Sequence, residues 1–367
     1  MRILVLTNND VGLYRFRKEL IEKLVLDHEV VLSLPDGEFT GCFQSIGCQY
    51  VQTEFDRRGS NPLADLSLLI TYVKMIRKHR PDLVLCYTVK PNIYGGLACR
   101  LTRTPYLANI TGLGTVLEDN SALSRLLRFL YRAGLKKAAC VFFQNQENHK
   151  YIVDHRMFTG RTRLLPGSGV NLSEFVVADY PSSEEEIRFL FVGRVMKNKG
   201  IDELLKAIRT VKAHYPTATL DIVGGFDENY EKKLAEAQTQ GHLAYHGLQN
   251  NVRDYIERCH CLVNPSYHEG MSNVLLEAAA SGRPVIASKV PGCQETFDES
   301  ISGLGCEVRS ADSLAERMIE FIRLPHQRKK EMGLAGRRKM EREFSREIVI
   351  NAYMEEIDRI AERDKAQ

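Results

Sequence analysis

Two carboxylates spaced eight residues apart, Glu269 and Glu277, belong to the stretch HEGMSNVLLEAAASGRPVIAS, His268 to Ser288. The alanine-rich run after Met271 predicts a helix, with Ser272 or Asn273 as its cap and unpartnered amides at its start. Glu269 then falls in the loop just outside, beside Gly270, where it can accept hydrogen bonds from neutral hydroxyls. Glu277 falls a little over one turn into the helix, where two acceptor oxygens suit a diol. A second group of chemistry-bearing residues lies upstream in FVGRVMKNKGIDELLKAI, Phe191 to Ile208. A strand ends there at Gly193, a basic loop carries Arg194 and Lys199, and a helix starts near Gly200–Asp202. Helix-start amides already favour anions, and the two side chains add full positive charges. The spacing is not that of a Walker loop.

Cations for phosphates and carboxylates for hydroxyls together describe a nucleotide-sugar better than any other common ligand. The plain alternatives are a solvated basic loop and two surface glutamates. Gly270 and the downstream SGRPVIAS weigh against them.

These residues need elements to hold them. Short β-rich runs alternate with helical patterns almost throughout, as in parallel α/β architecture. The expected strands of the first half are Arg2–Leu6, Val30–Leu34, Gln49–Thr53, Leu83–Tyr87, Pro105–Ile110, Ala139–Gln144 and Arg163–Pro166. Helices are expected at Gly12–Leu26, Leu63–His79 and Ser121–Lys137. The acidic, proline- and serine-bearing stretch 171–186 reads as a linker between domains at 1–170 and 187–345. A second series runs through IRFLFVG, ATLDIVGG, LAYHG, HCLVNPS and PVIAS, and the chain ends in charged helix. Two doubly wound domains would bring their ligands to the carboxyl ends of the strands, in a cleft between them.

Composition sets further bounds. At 367 residues the chain has room for two domains. No apolar run reaches the ~18–20 residues that span a bilayer, and the start MRILVLTNND is too quickly polar for a secretory leader. Nine cysteines without a CxxC pair suggest a reducing cytoplasm. Net charge is +3, but residues 1–170 hold 23 Lys and Arg against 15 Asp and Glu, and the remainder 27 against 32. The basic half is expected to meet something anionic. With an acidic second half and no recognised binding motif, nucleic acid is a poor candidate.

HEGMSNVLLEAAASGRPVIAS together with FVGRVMKNKG resembles the retaining glycosyltransferases of family 4, across nearly the whole chain. The resemblance implies the GT-B fold, two facing Rossmann-like domains with the active site in the interdomain cleft. It implies that Glu269 holds the donor sugar, that Glu277 holds the ribose, and that Arg194 and Lys199 clamp the diphosphate beyond Gly193. The amides of Met271, Ser272, Asn273 and Val274 would help, and the base would lie near Leu248–Arg253. Gly12, directly after the first strand, matches the position of a glycine loop close to the donor. The last helix, roughly 346–361, would cross back onto the first domain. No Asp-x-Asp sequence occurs, so neither a metal ion nor any other cofactor is expected. Many members carry a histidine after a first-domain strand, and here Thr111–Gly112 stands in its place, leaving Asn109 and Thr111 as polar substitutes. Transfer in the family is thought to proceed on the donor's own face without a covalent intermediate.

YTVKPNIYGGLACR and NITGLGTVLED resemble, more narrowly, a subgroup that extends glycans on polyprenyl-diphosphate carriers in O-antigen and capsule assembly. That implies a UDP-sugar donor, GalNAc or GlcNAc by preference, and a lipid-linked saccharide acceptor whose diphosphate Lys90 and Asn92 would meet. SALSRLLRFLYRAGLKKAA is amphipathic and basic: Arg125, Arg128, Arg132 and Lys136 recur every three or four residues. Helix 121–137 is therefore expected to lie on the anionic cytoplasmic face of the plasma membrane. Other readings are a GDP-sugar donor or another glycan acceptor, a UDP-sugar epimerase on the same fold, and a non-catalytic binding protein.

Overall fold

The computed structural model describes residues 1–54, 61–113, 121–183 and 186–365. The chain divides into two compact units, Met1–Ser168 with Glu347–Gln367, and Gly169–Arg346.

The first unit is built on seven strands: β1 (Arg2–Leu6), β2 (Glu29–Leu34), β3 (Gln49–Gln52), β4 (Leu83–Tyr87), β5 (Tyr106–Ile110), β6 (Cys140–Phe143) and β7 (Thr162–Leu164). All pairings are parallel, in the order β3-β2-β1-β4-β5-β6-β7. Its helices are α1 (Asp10–Asp27), α2 (Thr40–Ser45), α3 (Pro62–His79), α4 (Gly96–Thr102), α5 (Ala122–Leu135) and α6 (Gln146–Asp154). β1, β4, β5 and β6 carry apolar side chains toward both faces because helices cover both faces of a parallel sheet. Side chains with the right chemistry start the helices: Asn9, Asn61, Ser121 and Asn145 each accept a bond from an amide of the first turn.

The second unit has β8 (Arg188–Val192), β9 (Thr219–Val223), β10 (Ala244–Tyr245), β11 (Cys261–Asn264), β12 (Val285–Ser288) and β13 (Gly303–Cys306), all parallel, in the order β10-β9-β8-β11-β12-β13. Around them lie α7 (Ile201–His214), α8 (Glu231–Thr239), α9 (Arg253–Arg258), α10 (Asn273–Ala280), α11 (Ala311–Arg323) and α12 (His326–Lys339). In each unit the strand order reverses once, between β1 and β4 and between β8 and β11. Ligands of doubly wound sheets bind outside the carboxyl ends of strands at such reversals. β13 has no sequence signal, because its GLGC is poor in strand formers. Tertiary packing requires the glycine: a Cβ on Gly303 would lie 2.8 Å from both the carbonyl oxygen and a methyl of Val285.

The last helix, α13 (Arg346–Lys365), returns the chain to the first unit, where Val349, Ile350, Tyr353, Ile357 and Ile360 join the core that also contains β1 and β2 side chains. Residues 171–186, read from composition as a linker, belong instead to the second unit. Arg283 is the reason: it is completely buried, and its guanidinium donates to the carbonyls of Ala178 (3.0 Å), Asp179 (2.7 Å), Glu257 (2.7 Å) and Ile256 (3.1 Å). Tyr180 adds a bond of 2.9 Å to the carbonyl of His260. A five-donor planar fork can satisfy that many main-chain acceptors at once, and no other side chain can.

Removing a buried group that satisfies several carbonyls leaves all of them unpaired. Arg283→Met is expected to lower the unfolding free energy by about 3–5 kcal/mol. Arg253→Met, which removes only the exposed pair with Glu257, should change it by less than about 0.5 kcal/mol. Urea denaturation followed by circular dichroism measures both.

Candidate functional site

The reversal in the second unit brings the loops after β8 and β11 together. After β8 the chain passes Gly193 and Arg194, makes one 3-10 turn at Lys197–Lys199 and enters α7. Gly200 joins turn to helix in a left-handed conformation, φ 73°, and a Cβ there would stand 2.2 Å from the carbonyl oxygen of Pro265, in the loop after β11. Only glycine permits both the dihedral and the approach. The amide of Tyr267 donates to the carbonyl of Asn198 at 2.9 Å, a second tie between the two loops.

Across this contact Lys199 Nζ donates to Glu269 Oε1, and both side chains are largely buried. Ser266 Oγ lies 2.9 Å from the same carboxylate oxygen and 2.6 Å from Asn264 Oδ1. Asn264 Nδ2 in turn donates to Ser272 Oγ at 2.7 Å. The paired charges offset each other's desolvation, and the hydroxyl and amide fix the carboxylate's orientation. Cys293, buried in the core beside the site, feels both charges. Burial pushes its thiol well above the ordinary range, with the Glu269 charge adding and Lys199 opposing. Tyr267 donates to both oxygens of Glu203 at 2.8 Å, and burial followed by that acid raises its phenol.

Ser272 occupies the cap position of α10, as its residue type suggests, but makes no side-chain bond to the helix amides. Its hydroxyl is held by Asn264 instead. The first turn of α10 thus has no capping side chain, and the leading amides at Asn273 and Val274 retain the anion preference of an uncapped helix start. Asn273 Oδ1 is buried without a hydrogen-bond partner. Gly270 and Met271 form the approach to this turn, and Glu277 is half-buried on α10 itself.

Arg194 is placed differently from Lys199. Its Nη1 lies 2.7 Å from Asp227 Oδ2, and its side chain is 57% exposed. Glu228 accepts from the amide of Lys197 at 2.9 Å, so the acidic loop after β9 braces the basic one. Leu248, after β10, is 76% exposed, and Arg253 is paired with Glu257 at the start of α9. Asn264, Ser266, Asp227 and Cys293 were not singled out from sequence. The polar alternation N-P-S at the end of an apolar strand was a signal for the first two, since strand ends at a reversal face ligand. Asp227 and Cys293 gave none.

The first unit corrects several expectations. Gly12 lies in the first turn of α1 rather than in a glycine loop, and its amide is held by the cap Asn9. Lys90, expected to meet the carrier's diphosphate, forms a largely buried ion pair with Asp65 at 2.8 Å, and Tyr94 donates to the same carboxylate. Asn92 is buried and donates to the carbonyl of Asn109 at 2.7 Å, while Asn109 Nδ2 donates to Tyr353 on α13. These amides join the turn at Pro91–Gly95, β5 and the last helix inside the unit. Thr111 is half-exposed just beyond β5. Helix 121–137 is observed as α5, with Arg125, Arg132 and Lys136 exposed and Arg128 turned to Tyr151 at 3.1 Å. Among the described residues no group of three or more His, Cys, Asp and Glu is arranged to hold a metal ion, and no helix is long and apolar enough to cross a membrane.

Models of two known families match the two parts of the chain: "Glycosyl transferases group 1" over residues 173–339 and "Glycosyl transferase 4-like" over residues 2–145. The chain is 25% identical to N,N'-diacetylbacillosaminyl-diphospho-undecaprenol alpha-1,3-N-acetylgalactosaminyltransferase of Campylobacter jejuni, covering 98% of this chain and 99% of that one. It is 23% identical to the capsular polysaccharide biosynthesis glycosyltransferase CapM of Staphylococcus aureus, over 94% and 93%. The solved structure of Anabaena HepE in complex with UDP and glucose superposes with a TM-score of 0.77 at 18% identity, covering all of both chains.

The two basic residues differ in burial, and their removal should differ in cost. Lys199→Met strands a largely buried carboxylate and is expected to cost about 1–3 kcal/mol of stability. Arg194→Met releases an exposed pair and should cost less than about 0.5 kcal/mol. Equal losses in urea titrations would contradict the arrangement.

Proposed function

We propose, since the chain belongs to the group 1 glycosyl transferases and has the GT-B fold, that it transfers an N-acetylhexosamine from a UDP-sugar to a saccharide on a polyprenyl diphosphate. The single observation that carries this reading is the Lys199–Glu269 pair beside the uncapped start of α10. An ammonium has three donors. Lys199 can keep one on Glu269 and turn the others to a phosphate oxygen, with the α10 amides and Arg194 supplying further positive charge. Glu269 Oε2, and Oε1 beyond its present bonds, remain to accept from sugar hydroxyls, and Glu277 from the ribose. The C. jejuni relative, matched over its whole length, acts by its name on an undecaprenol-linked saccharide with N-acetylgalactosamine. HepE is solved with UDP. These support the choice of donor and acceptor.

In the reaction the bond between the anomeric carbon and the diphosphate oxygen breaks, and negative charge grows on that oxygen. Fixed donors that meet such charge are worth roughly 3–4 kcal/mol each. The acceptor hydroxyl oxygen bonds the anomeric carbon on the same face, and its proton passes to the departing phosphate oxygen. Glu269 positions the sugar and stabilises its positive charge without forming a bond to it. Retention and independence of metal ions follow from this scheme. The acceptor is carried on lipid, so the enzyme works at the cytoplasmic face of the membrane, docked through α5.

Transfer should be detected by mass spectrometry when a panel of UDP- and GDP-sugars is offered with a synthetic polyprenyl-diphosphate sugar. Lys199→Ala and Arg194→Ala should each lower kcat by about a hundredfold, and Glu277→Ala should weaken UDP binding by about tenfold in calorimetry. EDTA should leave the rate unchanged; loss with EDTA and recovery with Mn²⁺ refutes the metal-free scheme. Sedimentation with phosphatidylglycerol vesicles should weaken at least tenfold when Arg125, Arg132 and Lys136 are changed to Glu, each near-surface cation contributing about 1 kcal/mol. Unchanged binding removes α5 as the docking element.

A further inference from the structure

The amino ends of β5 and β6 form the edge of the first unit's sheet opposite its strand-order reversal, and an open cavity of about 420 Å³ lies there. Four cations line it: Arg100 and Arg103 from the end of α4, Lys137 from the turn after α5, and Arg363 from α13. Pro105 and Ile360 give it an apolar floor, and among the described residues no carboxylate lines it. Elsewhere the chain pairs its arginines freely. Arg359, one turn before Arg363, is tied to Glu356 at 2.8 Å. Among the described residues, Arg103, Lys137 and Arg363 have no acidic partner. Like charges gathered round one hollow raise each other's energy, and an anion of more than one charge entering it relieves the repulsion. Guanidinium forks match the oxygens of phosphate.

The cavity wall is tied to α5. Arg100 Nη1 donates to the carbonyl of Ala133 at 2.6 Å, fixing the cavity wall to that helix. Exposed Arg132 and Lys136 carry the cationic stripe to Lys137 on the rim. The same helix exposes Leu123, Leu126 and Phe129, the last to 66%. Apolar side chains suited to acyl chains and a phosphate seat at the end of the same helix fit one surface, that of an anionic bilayer.

We infer that this cavity is a binding site for a phosphate-bearing group, supplied by a phospholipid headgroup when α5 lies on the membrane. The inference rests on the membrane-docking part of the proposed function. Free phosphate offers the same chemistry, so the test separates the two sources. The intact protein and two variants are compared: Arg103→Glu with Arg363→Glu in the cavity, and Arg125→Glu with Arg132→Glu on α5. Flotation with phosphatidylglycerol vesicles and with phosphatidylcholine vesicles is read beside calorimetry with inorganic pyrophosphate. Sugar transfer to a water-soluble acceptor serves as the check on folding.

The cavity variant is expected to lose at least tenfold in affinity for phosphatidylglycerol vesicles, with transfer to the soluble acceptor unchanged. If the α5 variant loses vesicle binding and the cavity variant keeps it, the headgroup site is refuted and docking through α5 stands. If neither variant loses binding, both fall. If the cavity variant loses pyrophosphate affinity alone, the phosphate site stands and its lipid source is refuted.

Discussion

Everything at the candidate donor site depends on the close approach of the loops after β8 and β11. Parallel strands that are neighbours in the sheet but distant in sequence send their next loops out side by side. At Gly200 the approach leaves no room for a Cβ, since the Pro265 carbonyl would be 2.2 Å away. That contact lets a lysine from one loop and a glutamate from the other satisfy each other while largely withdrawn from water. Were the loops farther apart, each charge would be solvated separately and neither would have a defined direction. Ser266 and Asn264 add direction from below, and by holding the Ser272 hydroxyl they leave the start of α10 open to an anion.

The two units use polar residues at their strand ends in different ways. In the second unit Asn264, Ser266 and Ser272 are buried and bonded to one another across loops, and they lead up to the Lys199–Glu269 pair, which keeps some exposure. In the first, Asn92, Asn109 and Tyr353 are buried and tie the turn at Pro91–Gly95, β5 and α13 together, and Lys90 is closed onto Asp65. Buried amides and charges are tolerated because they are paired. The first unit therefore depends on the far end of the chain, whose helix supplies both the phenol of Tyr353 and a row of apolar seats.

Arg283 shows the same economy in the second unit. The GRP sequence that accompanies the site is not itself a binding element. Its arginine is completely buried and gathers main-chain carbonyls from 178–179 and 256–257, so a segment with the composition of a linker becomes part of the folded unit. The most polar residue of the motif thus works on structure.

The parallel α/β class, most strand positions and the start of α10 at Ser272–Asn273 were legible in the residues alone. Apolar runs of the right length and side chains of the right type are local properties, and local properties are written in order along the chain. Tertiary structure decided which charges meet. Lys199 and Glu269 are 70 residues apart, Asn109 and Tyr353 are 244 apart, and Arg194 has an acid available in the loop after β9. Whether a lysine such as Lys90 faces a ligand or closes onto an aspartate depends on what the fold places beside it. The strand Gly303–Cys306 was illegible for the same reason: its glycine answers to the space left by Val285 and not to any preference of its own backbone.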